Sequence, residues 1–106
     1  FSPQRVFFVS AVPSREVRGE HAHRSLQQLL ICCAGECRVV ADDGRTREEF
    51  HLDAPTMGLL VPPRVWTVQY RFSADAVLAV LASDAYDPAD YVRSYEEFQQ
   101  LAGVSE

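Results

Sequence analysis

Hydrophobic and polar residues alternate along most of this chain in short runs, broken by turn residues at roughly 8–12-residue spacing, the pattern of strands in a sandwich or barrel. Arg5–Ser10 is rich in Val and Phe. Leu26–Cys33 is almost continuously apolar after its two glutamines, as a central strand would be. Ala34-Gly35-Glu36 turns that run into Cys37–Ala41, and Asp42-Asp43-Gly44 supplies a tight hairpin turn. Further strands are expected at Arg47–Leu52, Met57–Val61, Val65–Phe72 and Ala76–Ala82, with Pro55, Pro62 and Pro63 punctuating the gaps. The period then changes. Asp87 suits the N-cap of a helix, Pro88 its first position and Asp90 its positive end. From there Tyr91, Tyr95 and Phe98 form one aromatic stripe on a helix ending near Gly103, expected to pack on the outside of the strands. The prediction is an all-β sandwich or barrel with a short C-terminal helix.

One strand raises the question of a partner. Along Val65–Phe72, Trp66, Val68, Tyr70 and Phe72 share one face, and Val65, Thr67, Gln69 and Arg71 the other. If Thr67 faces a pocket, the four large apolar residues face away from it and need cover, from a second subunit or from the C-terminal helix. If the aromatic face lines the core, Thr67 looks outward. The expectation is a homodimer through this aromatic face or a neighbouring sheet edge, a solution favoured by the high surface-to-volume ratio of a 106-residue chain.

That length makes one domain, residues 1–106. Hydrophobic residues make up 47% and charged residues 24%, the profile of an ordinary soluble chain. Net charge is −5 and all ten cationic side chains are Arg, scattered and without a basic stripe, which argues against nucleic acid. No apolar run approaches the roughly 20 residues that cross a bilayer, and nothing resembles a signal peptide. A cytoplasmic protein with no membrane partner is expected. The chain opens at Phe1 rather than Met, so a trimmed chain or one domain of something longer is expected, lacking a native N-terminal segment. Cys32, Cys33 and Cys37 are odd in number and form no Cys-x-x-Cys pair, which favours reduced, buried thiols.

His21-Ala22-His23 carries the chemistry. Two histidines at i and i+2 of an extended segment point to one face and read at first as two legs of a metal site. The other legs do not follow. Gln28 stands where a carboxylate would be needed, Val65–Tyr70 offers Thr67 and no His, and His51 lies in the polar stretch Arg45–His51. Two imidazoles with an amide and a hydroxyl suit zinc or iron poorly but suit proton transfer near neutral pH well. No metal and no cofactor are expected.

His21, His23, Gln28 and Gly35 stand at the spacings of the first cupin motif, whereas Pro62, Arg64 and Thr67 keep only part of the second. A closer resemblance covers most of the chain. Arg5-Val6-Phe7-Phe8, Arg18-Gly19-Glu20-His21-Ala22-His23, Asp42-Asp43-Gly44, Pro63-Arg64-Val65-Trp66, Leu81-Ala82-Ser83-Asp84 and Tyr86-Asp87-Pro88-Ala89-Asp90-Tyr91-Val92-Arg93 resemble the nucleotide-sugar 3,4-ketoisomerases, the WxcM-like or FdtA-type cupins. The resemblance implies a cupin jelly roll and a homodimer. It also implies a metal-independent isomerase that moves the keto group of a dTDP-4-keto-6-deoxyhexose from C4 to C3. His23 is then the base at C3, and His21 the partner that polarises the carbonyl or handles the C4 proton. Arg5 and Arg18 would clamp the diphosphate, with Gln28 and Thr67 contacting substrate. Relatives usually carry Tyr at one or both of Phe7 and Phe8, so a phenolic relay from the first strand is not expected here. Two rival readings remain, a ligand-sensing cupin without catalysis and a metal-dependent cupin oxygenase.

Overall fold

The computed structural model describes residues 1–103 as two antiparallel sheets stacked face to face. The strands are β1 (Arg5–Ser10), β2 (Arg18–His23), β3 (Gln28–Ala34), β4 (Cys37–Asp42), β5 (Arg47–Leu52), β6 (Gly58–Val61), β7 (Trp66–Tyr70), β8 (Val77–Ala82) and β9 (Tyr91–Val92). One sheet has the order β1-β8-β3-β6 and the other β5-β4-β7-β2-β9. Every pairing is antiparallel while sequence neighbours repeatedly sit in different sheets, the winding of a jelly roll. The all-β expectation holds, and strand ends fall within a few residues of the predicted ones.

The core lies between the sheets. Leu30, Cys32, Leu78 and Val80 from one meet Cys37, Val39 and Leu52 from the other, all at 1% exposure or less. Burial raises the Cys32 thiol above its ordinary pKa and pushes that of Cys37 up to about 12, so both stay protonated. Cys33 departs from expectation. As the neighbour of Cys32 on a strand it points to the opposite side, and there it is exposed.

Strand β7 resolves which way Thr67 points. Thr67 and Gln69 are buried between the sheets at 2% and 5% exposure, while Trp66 and Val68 belong to a second apolar cluster on the outer side of the five-stranded sheet. The predicted aromatic face differs at one end. Arg71 takes a positive φ of 55°, which breaks the alternation, and Phe72 turns into the main core instead of continuing the outer stripe.

The outer stripe has its own cover. Helix α1 (Tyr95–Leu101) lays Phe98 and Tyr95 on Trp66, with ring centroids 5.7 and 5.3 Å away. Tyr95 also donates to Asp42 at 2.6 Å, tying the helix to the end of β4. The aromatic face of β7 is therefore closed at Trp66 by the chain's own helix, the second of the two covers the sequence left open.

The tail departs more sharply. Asp87 does cap a turn and Pro88 does open it, but the turn is a short 3₁₀ segment, Pro88–Asp90. The chain then extends as β9 before Ser94 caps the separate helix α1. Tyr91 therefore leaves the helical stripe. On β9 it pairs across the sheet with His23 and faces the interior, while its neighbour Val92 faces the cluster under the helix.

Candidate active site

An irregularity in β2 decides where the histidines point. Arg18 pairs with Gln69 and Gly19 with Val68, but His21 pairs with Thr67, so the register slips by one residue at Glu20. Glu20 is the extra residue of a bulge, with φ of 56° beside Gly19 at 85°. A Cβ at Gly19 would sit 3.0 Å from the Thr67 carbonyl oxygen, so the position requires glycine on space as well as on backbone angle. The slip places His21 in register with inward-facing Thr67, and the alternation along the strand carries His23 inward too. The bulge also turns the Gly19 carbonyl to within 3.0 Å of His21 Nδ1. That contact fixes the Nδ1–H tautomer of the neutral ring and leaves Nε2 unprotonated.

The imidazoles sit edge to face, with centroids 4.9 Å apart. Tyr91 packs on both, at 4.3 Å from His23 and 5.1 Å from His21, as its cross-strand pairing requires. Arg5 reaches in from β1, donating to the Tyr91 hydroxyl at 3.2 Å and lying over the rings of Phe7 and Tyr86. Arg93 lies 4.3 Å over the ring of Tyr91.

The opposite sheet supplies the facing row. Arg5 and Gln28 both pair with Ala82, one from each side, so they flank a single methyl group on the inner face. The structure thus brings His21, His23, Arg5, Gln28 and Thr67 to one end of the interior. Arg18 stays out of the cluster. Its guanidinium bonds the Val17 carbonyl and Glu16 at the surface. His51 is also elsewhere, exposed and paired with Glu36.

Electrostatics keep the pair neutral. Burial, the neighbouring His21 and Arg5 lower the pKa of His23 to about 4, against the opposing pull of Asp90. Burial likewise lowers that of His21, the Gly19 bond opposing and Arg93 adding to the shift. Asp90 is itself buried, which alone would raise its pKa. Hydrogen bonds from Ser25 and the Leu26 amide outweigh that and hold it below the usual carboxylate range.

Three buried side-chain atoms lack a hydrogen-bond partner among the described residues: Arg5 Nε and both ring nitrogens of His23. Folded proteins rarely leave such groups unpaired without a functional reason. Here all three belong to one cluster. No three His, Cys, Asp or Glu side chains among the described residues converge as a metal site would require.

A family model described as FdtA, WxcM-like, C-terminal, matches residues 1–103. The chain belongs to this family of nucleotide-sugar 3,4-ketoisomerases. It is 47% identical over 100 residues to the TDP-4-oxo-6-deoxy-alpha-D-glucose-3,4-oxoisomerase of Aneurinibacillus thermoaerophilus, covering 94% of this chain and 72% of that protein. Among solved structures it is similar to QdtA, a sugar 3,4-ketoisomerase from Thermoanaerobacterium thermosaccharolyticum in complex with TDP. The TM-score there is 0.95 at 34% identity, over 97% of this chain and 75% of the other. It is also similar to WlaRB, a TDP-quinovose 3,4-ketoisomerase from Campylobacter jejuni, with a TM-score of 0.90 at 39% identity over 94% and 77% of the two chains. The chain thus spans about three quarters of the length of these family members.

Tyr91, Asp90 and Arg93 are the site residues that sequence pattern alone misplaced, since all three fell on a supposed helix. The corrective signal was present. Ser94-x-x-Glu97 has the sequence of a capping box, and Ser94 does cap the Glu97 amide, which starts the helix later and frees Tyr91 from it.

Proposed function

We propose that this chain is a TDP-4-keto-6-deoxyhexose 3,4-ketoisomerase in which the histidine pair moves the protons. The observation that carries the mechanism is the set of unpaired buried atoms on Arg5 and His23, beside a second imidazole whose Nε2 is unprotonated. Names of the family members supply the substrate class.

The reaction balances without a cofactor. His23 Nε2 takes the proton from C3, and the C–H electron pair becomes a C3=C4 double bond. The C4 oxygen, left as an enolate, receives the O3–H proton by way of the bare Nε2 of His21, giving the enediolate with its charge on O3. The O3 electron pair re-forms the carbonyl at C3, and the C3=C4 pair takes the proton back at C4 from the His23 imidazolium. A neutral imidazole suits the first step, and its cation suits the last. Arg5 is the cation placed to meet the TDP-sugar, and Gln28 and Thr67 offer an amide and a hydroxyl to the hexose. Arg18 can join only by giving up Glu16.

A homodimer is part of this reading, but its surface moves. The outer face of the four-stranded sheet is the one that calls for cover, for Val6, Phe8 and Leu60 there are 52%, 63% and 55% exposed. Leu29, Ile31 and Leu81 lie between them on the same face. A patch this apolar marks an interface.

Incubation with TDP-4-keto-6-deoxyglucose in D2O tests the chemistry. The wild-type chain should wash deuterium into the hexose ring, with or without a chelator, and form the 3-keto sugar. His23→Asn should lower turnover about 10²–10⁴-fold, the usual worth of a general base, while TDP binding persists. Turnover within a few-fold of wild type would overturn the role of His23. Sugar binding with no ring deuterium would instead favour a ligand-sensing protein.

A further inference from the structure

Asp90 lies outside both apolar clusters, yet it is a buried carboxylate with several donors. Its Oδ1 accepts from the Ser25 amide at 3.0 Å and from Ser25 Oγ at 2.6 Å. Its Oδ2 accepts from the Leu26 amide at 3.3 Å. Its own carbonyl accepts from the Arg24 amide at 2.9 Å, so the 3₁₀ turn is pinned to the loop after β2. The carboxylate cannot swing away. Held there, Oδ2 lies 3.3 Å from His23 Nδ1, in a geometry that falls short of a hydrogen bond. Such contacts are often loose before substrate binds and tighten afterwards. Other groups set against His23 are His21 on the same strand, Tyr91 from β9 and Arg5 from β1. Asp90 is the anion of the set.

We infer that Asp90 is a positioning residue for His23: it directs the ring proton to Nδ1, leaves Nε2 bare toward the substrate, and balances the imidazolium formed when Nε2 takes the C3 proton. The inference rests on the proposed role of His23. An anion fixed behind an imidazole supplies both orientation and charge balance. A carboxylate serving only as a loop anchor would need its bonds to Ser25 and Leu26 but not its charge. That difference is testable.

Nitrogen-15 NMR on the whole chain with labelled histidine reads the tautomer directly, without substrate. His23 should carry its proton on Nδ1 in the wild type and lose that preference in Asp90→Asn. The Asn side chain keeps an oxygen for Ser25 but removes the charge, so kcat should fall on the order of 10²-fold with KM little changed. The titration of His23 should also move to lower pH. Ser25→Ala cuts an anchor and keeps the anion, and should retain the Nδ1–H tautomer and most of the turnover. Should Asp90→Asn fail to fold, the wild-type tautomer and Ser25→Ala still decide. An Nε2–H tautomer in the wild type, or equal losses in both variants with no change of tautomer, would overturn the inference. If His23→Asn remains active, the role of His23 fails instead, independently of the tautomer result.

Discussion

At the residue scale, the two histidines carry a cost that their burial makes measurable. An imidazole in the unfolded chain takes its proton near pH 6.5, whereas His23 in the fold does so only near 4. Between those values the unfolded chain binds more protons than the folded one. Stability is therefore full above about 6.5 and declines as pH falls toward 4. His21, also lowered, acts in the same direction. Thermal melts should show Tm dropping between about pH 7 and pH 5, and dropping less in His23→Asn. Equal slopes would mean that His23 is not held neutral. That these two residues share a face was legible in the sequence, because His-x-His depends on strand parity alone, whereas which face it is depends on the bulge. The place of Arg18 was not legible, since its contact with Glu16 depends on how the chain bends before the bulge.

At the element scale, seven strands followed from alternation and turn residues and an eighth from the extended His21–His23 segment, and the tail did not. Asp-Pro caps a 3₁₀ turn as readily as an α-helix, because both begin with the same unpaired amides. Local signals therefore place the start of a turn without saying how far it runs. What ends this one is a long-range pairing, Tyr91 with His23 and Val92 with Ala22. Helix α1 then has one main duty, covering Trp66. Trp66→Ala should cost roughly 3–5 kcal/mol, the usual loss for a buried aromatic, read as an early denaturant midpoint. A change below about 1 kcal/mol would show that the helix does not bury the indole. Neither the Arg71 break nor the direction of Thr67 could be read from alternation: it separates the two faces of β7 without saying which of them turns inward, and the left-handed Arg71 inverts the order after it.

At the scale of the whole molecule, the two outer faces are treated differently. Helix α1 covers part of the five-stranded sheet, and nothing among the described residues covers the four-stranded one. Phe8→Glu, near the middle of β1 on that open face, should give a monomer by light scattering and leave the fold intact, since its side chain is 63% exposed within one chain. A wild-type monomer at micromolar concentration, or a Phe8→Glu dimer, would refute the assigned interface. The face could not be singled out in advance because β3 and β8 are apolar on both sides, which reads as burial without saying by what.

Glu20 makes one further point about how this strand can change over time. Side chains on a strand behave like a message read in steps of two, and the bulge sets one letter outside the count, so the reading frame holds for everything after it. Substitutions at Glu20 alter one exposed side chain, whereas drawing Glu20 into the ladder opposite Thr67 would turn His21 and His23 toward the outside and Ala22 toward the interior. Descendants of this chain can therefore vary that residue among types that accept a positive φ, or shed the bulge whole, but cannot spread the extra residue into the ladder.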